Sequence, residues 1–108
     1  MLTIEIYHEE SGKAPFFQWV NSLTDTIQHR INARLIRVEC GNLGDWKSVG
    51  QGVAELRFHM NSGYRVYFAK DGQKVILLLC AGNKSSQKKD IGRAHKYWLD
   101  YQERKEKL

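Results

Sequence analysis

The sequence predicts a single α+β domain in the order strand, helix, helix, three strands, helix. Three observations predict it: alternating apolar residues at the start of the chain, two stretches of helical periodicity after them, and two period-two runs followed by a continuous apolar run in the second half. With 108 residues, 42% of them hydrophobic, and one proline, the chain can build one core and has little room for a second, so residues 1–108 are expected to form one domain.

Leu2, Ile4 and Ile6 alternate with Thr3, Glu5 and Tyr7, a first strand that the polar run His8 to Lys13 ends. Pro15 stands where a first helical residue would, since its missing N–H has no intrahelical partner there anyway. Phe16, Trp19, Val20 and Leu23 then recur along one helical face. Thr24 or Asp25 can cap the next helix, with Gln28 three residues beyond Asp25 as in a capping box, and Ile27, Ile31, Leu35 and Val38 carry its stripe to Gly41. The two helices form a hairpin whose opposite face, Arg30, Arg34 and Arg37, reads as solvated or partner-facing.

Gly41 to Gly52 reads as a glycine-rich loop around Trp46 and Lys47. From Val53 to His59, Ala54, Leu56 and Phe58 face one way while Glu55, Arg57 and His59 face the other. After the turn Met60 to Gly63, Tyr64, Val66 and Phe68 oppose Arg65 and Tyr67 along the strand Tyr64 to Lys70, so Arg57, His59, Arg65 and Tyr67 can share one sheet face. Asp71-Gly72 is a hairpin turn, and Lys74 to Ala81, apolar on both sides, is an interior strand. Gly82 to Ser86 breaks that strand and offers a serine cap to a last helix with Ile91, Ala94, Trp98 and Tyr101 on its stripe. The expected sheet is small and mainly antiparallel, with helices gathered on one face and the other left open.

Several chemistries lose support on inspection. The longest apolar run, Val75 to Ala81, is too short to cross a membrane, and the first residues lack the pattern of a secretory leader, so a cytoplasmic protein is expected. Cys40 and Cys80 read as buried free thiols. Asn83-Lys84-Ser85 lacks the glycine spacing of a P-loop, and Gly50-Gln51-Gly52 lacks the third glycine of a dinucleotide fingerprint. The four histidines have no metal-ligand spacing, so neither metal nor other cofactor is expected.

What remains is positive charge. The net charge is +5, and it is uneven: residues 1–26 hold one basic and four acidic side chains, whereas 27–80 and 81–108 each hold eight basic and four acidic. Such a body suits a polyanion or an acidic protein partner. Arg57 and Arg65 on neighbouring strands, with Lys84 just before a helix N-terminus, could hold a phosphate, because guanidinium groups stay charged and bind two oxygens at once. The same pattern also fits an Arg57 paired with Glu55 or another carboxylate and a merely solvated Lys84.

The segments Gly52-Val-Ala-Glu-Leu-Arg57, Gly63-Tyr-Arg65-Val-Tyr-Phe68 and Leu77-Leu-Leu-Cys-Ala-Gly-Asn-Lys84-Ser-Ser-Gln87, followed by Asp90-Ile91, resemble the RelE/ParE superfamily of toxin–antitoxin killer proteins, nearest its HigB-like addiction-module branch. The resemblance spans nearly the whole chain. It implies a RelE-like fold and a toxin silenced by a cognate antitoxin, in that branch a helix-turn-helix protein. It further implies metal-independent cleavage of mRNA on the ribosome, with a general base activating a ribose 2′-OH against the adjacent phosphate. The alternative it implies is a ParE-like inhibitor of DNA gyrase without nuclease activity.

By that resemblance Arg65 is the first choice to stabilise the phosphorane, with Arg57 in support, and Lys84 and Lys47 contact RNA or phosphate. His59 is the candidate for proton transfer, as imidazole has an ordinary pKa of about 6.5. Tyr67 is the second candidate. A surface histidine beside a turn and a tyrosine packed beside an arginine would give the same sequence. His95, Tyr97 and Tyr101 lie on the last helix, and none of them aligns securely with the family's C-terminal tyrosine.

Overall fold

Over residues 1–107, which the computed structural model describes, the chain forms five strands and three helices: β1 (Thr3–Ile6), α1 (Pro15–Asn21), α2 (Asp25–Glu39), β2 (Trp46–Gly50), β3 (Val53–Arg57), β4 (Arg65–Asp71), β5 (Val75–Gly82) and α3 (Gln87–Glu106), the last entered through a 3₁₀ turn at Lys84–Ser86. The sheet order is β1-β5-β4-β3-β2, with β1 parallel to β5 and every other pair antiparallel. The α+β class and the order of the foreseen elements follow the sequence pattern.

One strand does not. The segment read as a loop contains β2, which pairs with β3 through Trp46 opposite Leu56 and Lys47 opposite Glu55. Its glycines make the hairpin: Gln51 and Gly52 take φ of 55° and 82°, both left-handed as a two-residue primed turn requires. A Cβ on Gly52 would also lie 2.9 Å from Nε1 of Trp98, so the turn admits α3 only because that side chain is absent. As a mostly exposed edge strand, β2 has no apolar alternation to announce it.

Alternate residues of the central strands feed two cores. Leu56, Val66, Phe68, Ile76 and Leu78 pack with Phe16, Val20, Ile31 and Val38 of the α1–α2 hairpin. Val53, Tyr67, Ala69, Leu77 and Leu79 pack with Ala94 of α3 and the flanks of Ile91, Tyr97, Trp98 and Tyr101. The helices therefore do not gather on one face; α3 covers much of the face expected to stay open. Each fully buried aliphatic side chain in these layers contributes about 1.5–3 kcal/mol.

Helix ends depart from expectation in detail. Gly41, at φ 92°, closes α2 as a Schellman motif, its N–H reaching Val38 O and that of Asn42 reaching Arg37 O. The capping box does not form: Thr24 is the N-cap, and the Gln28 amide donates back to Leu23 O at 2.9 Å. Before α3 the cap is Asn83, whose Oδ1 accepts from the N–H groups of Ser85 and Ser86. Ser86 instead donates to the buried Asp90 carboxylate at 2.5 Å. That carboxylate lies over Gly82, where a Cβ would stand 1.9 Å from Asp90 Oδ2.

The far end of α3 is pinned by polar contacts. Tyr7 OH donates to Asp100, which also accepts from Arg104, and Asp71 accepts from Tyr101 OH at 2.7 Å and from Lys105. Of the two cysteines, Cys80 is buried under α3 as expected, whereas Cys40, at the C-cap of α2, is exposed.

Candidate functional site

The site is built on the β3–β4 hairpin. Antiparallel register sets Arg57 directly opposite Arg65, a like-charge pair that needs neighbours of the opposite sign. Asp45, just before β2, takes Arg57: Oδ1 accepts from Nε at 3.2 Å and from Nη2 at 2.9 Å. The other oxygen of Asp45 meets His59 Nε2 at 2.5 Å. Hydrogen bonds from Arg57 and then His59 hold the Asp45 carboxyl below the usual carboxylate range. Arg57 thus does pair with a carboxylate, and the partner is Asp45 rather than Glu55.

Asp45 is the residue sequence reasoning missed. Its one signal was being the only acidic side chain of the glycine-rich stretch 41–52. Arg34 puts it there: this guanidinium is buried, stacks on the Phe58 ring, and donates to the carbonyls of Leu43, Asp45 and Arg57. It is not the solvated side chain that helical spacing suggested. Burial is also the main reason its pKa falls.

Arg65 is held differently. Its Nη1 donates to Gly63 O at 2.7 Å, and its Nε lies 3.7 Å from Oε2 of Glu55, a carboxylate only 1% exposed that also accepts from the Gln87 amide. Nε itself is enclosed without a hydrogen-bond partner, as is the Tyr67 hydroxyl. Arg57, His59, Asn61, Gly63, Arg65 and Lys84 line one cleft of about 510 Å³. Lys84 stands exposed at its mouth, and its N–H ties the hairpin loop to the start of α3 through Ser62 O.

The structure therefore brings Arg57, His59, Arg65 and Lys84 together, with His59 just past the end of β3 and exposed. Tyr67 shares the strand face but is fully buried beneath α3, where burial first and then the charge of Glu55 raise its pKa. Its hydroxyl does not open into the cleft, which corrects the idea that it could reach a substrate. Lys47 lies on exposed β2 across from Glu55 and does not line the cleft. His95 bonds to the carbonyls of Val49 and Gly50, and Tyr97 stacks on Tyr7, both tying α3 to the fold away from the cleft. Among the described residues no cluster of His, Cys, Asp or Glu forms a metal-holding group.

Arginine, lysine and histidine side chains thus line one open cleft of a small basic α+β domain, with Asp45 bonded to two of them, an arrangement whose charge can receive an anion. Residues 18–96 match the family described as "Phage derived protein Gp49-like (DUF891)", and this chain belongs to that family. The family is toxin-like and associated with toxin–antitoxin modules. An uncharacterized protein of Haemophilus influenzae is 44% identical over 80 residues, covering 73% of this chain and 81% of its own length. No helix of the chain, among the described residues, is long and apolar enough to cross a membrane.

Proposed function

We propose that this protein is the toxin of a toxin–antitoxin pair and an endoribonuclease of RelE/ParE type that cleaves mRNA on the ribosome. The observation that carries this reading is the cleft where Arg65, Lys84 and His59 face one space, with Asp45 bonded to His59 from outside it. A phosphodiester there meets two cations, and its flanking ribose meets a base.

In this reading His59 accepts the proton of the 2′-OH, and the 2′-oxygen attacks phosphorus. The bond to the 5′-oxygen breaks, leaving a 2′,3′-cyclic phosphate, and the departing 5′-oxygen takes a proton from water to become a 5′-hydroxyl. Asp45 orients the imidazole and offsets the charge it gains. Arg65 and Lys84 stabilise the extra negative charge of the phosphorane. Arg57, occupied by Asp45, positions that carboxylate rather than touching phosphate. Lys47 extends the positive surface along β2. The partner is an antitoxin of helix-turn-helix type, drawn by the same positive charge.

Primer extension on a defined mRNA, with and without ribosomes and in EDTA, tests the reading. Wild type is expected to give new 5′ ends that require ribosomes. Arg65→Ala, losing one aimed charge donor, should lower the rate about 100- to 1000-fold. Intact mRNA from a protein that still arrests growth and blocks DNA supercoiling would overturn it in favour of gyrase inhibition.

A further inference from the structure

Two arginines of α2 take no part in the first cleft, and their surroundings set them apart from the rest. Of the seven arginines, Arg57, Arg65, Arg93 and Arg104 each face a carboxylate, and Arg34 is bonded to carbonyl oxygens. Arg30 reaches only the Met60 sulfur, at 3.9 Å, and Arg37 has no side-chain partner among the described residues. Both are exposed on one side of α2, seven residues or two helical turns apart, about 10 Å. They line a second cleft of about 370 Å³ with Arg57, Phe58 and His59, and its one carboxylate, Asp45, is already bonded to Arg57 and His59. Arg57, Phe58 and His59 also line the first cleft, so the two hollows are separated by a single shared ridge.

Resting on the reading of the first cleft as the cleavage site, we infer that the α2 cleft is a second phosphate subsite, in which Arg30 and Arg37 hold the RNA strand where it continues past the His59 ridge. Unpaired guanidinium groups lose least and gain most by meeting phosphate oxygens, since no existing ion pair must be broken. Continuity with the first cleft favours an RNA strand over an acidic polypeptide, because a chain threaded through one hollow emerges into the other.

The test is equilibrium binding of 2′-O-methyl RNA, which cannot be cleaved, to the full chain. One oligonucleotide is long enough for the first cleft only, and the other reaches both. Arg30→Gln/Arg37→Gln exchanges exposed helical residues for another good helix former, and an unchanged thermal melt verifies the fold. The variant is expected to bind the short oligonucleotide as wild type does and the long one more weakly. Its salt dependence for the long strand should become shallower by about 1.4, at about 0.7 for each phosphate that is no longer neutralised. Equal length dependence and equal salt slope in the two proteins would overturn the inference while leaving the first cleft untouched. Loss of polyglutamate binding with RNA binding retained would overturn it in favour of an acidic protein partner. Failure of the wild type to bind the long oligonucleotide better than the short one would overturn this inference, whereas the reading of the first cleft falls only if primer extension with ribosomes shows no cleavage.

Discussion

Glu55 and Leu56 are neighbours on β3, both fully buried, and they point to opposite sides of the sheet. Leu56 enters the layer under α1 and α2, where the strands contribute only apolar side chains. Glu55 enters the layer under α3, together with Asp90, the stem of Arg65 and the unpartnered Tyr67 hydroxyl. Burying charge is unfavourable, and an apolar replacement of equal volume is often as stable. The α3 face is thus the less economical way to fill the same sheet, and it is the face whose edge opens into the cleft. The α3 side holds the Arg65 guanidinium beside a buried carboxylate, whereas the buried guanidinium of the other side, Arg34, is held by carbonyl oxygens alone.

Substitution of the two neighbours tests this difference. Leu56→Ala should lower the free energy of unfolding by about 2–5 kcal/mol, read from urea denaturation, with the cleavage rate per folded molecule unchanged. Equal losses of stability and rate would mean that the two faces are not distinct. Glu55→Gln keeps an acceptor for Gln87 and removes the charge beside Arg65. Exchanging a charged for a neutral hydrogen bond should change stability by only about 1 kcal/mol. A loss of that order in transition-state stabilisation is roughly fivefold in cleavage rate. A variant cleaving as fast as wild type would place Arg65 without help from Glu55.

The difference between the faces also explains what could be read in advance. Period-two and helical spacing located β1, β3, β4 and all three helices, because elements with two unlike faces alternate their residues, and a continuous apolar run located β5, which is buried on both faces. They missed β2, an edge strand with nearly every residue exposed, and they could not tell which helix covers which face. At the site, Arg57, His59 and Arg65 were foreseeable from alternation along a hairpin. Asp45 was not, since its place depends on the carbonyl contacts of Arg34 across a loop. Tyr67 was misjudged for a related reason: alternation gives the face of the sheet but not whether a helix lies on it.

The two faces should also respond differently to pH. Lys105 and Tyr101 hold the Asp71 carboxyl below its usual range, and Tyr7 and Arg104 do the same for Asp100. For carboxylates with depressed folded pKa values, the stabilisation is present above the unfolded value of about 3.9 and is lost as pH falls through the folded ones. At the alkaline end, burial and the Asp71 contact push the Tyr101 hydroxyl up to about 12. Stability from that group is full below the unfolded value of about 10 and is lost as pH rises towards 12. These contacts all anchor α3, so hydrogen exchange at either extreme should quicken there before it quickens in α1 and α2. Earlier exchange in α2 would reverse the assignment.

The smallest effect uses a reporter already in the chain. Cys80 lies on the α3 face, its thiol against Asp90 O at 3.6 Å and pushed up to about 12 by burial, whereas Cys40 is exposed at the end of α2. A thiol reagent reacts with thiolate, so native protein should be modified once, rapidly, at Cys40. Cys80 should react only as fast as α3 lifts from the sheet. Glu55→Gln, which weakens the tie between Gln87 and β3, should therefore speed Cys80 labelling, while Leu56→Ala at modest destabilisation should speed it only in proportion to global unfolding. Identical labelling of Cys80 in two variants matched for global stability would show that α3 does not open on its own, and that the sheet and its two helical layers come apart as one unit.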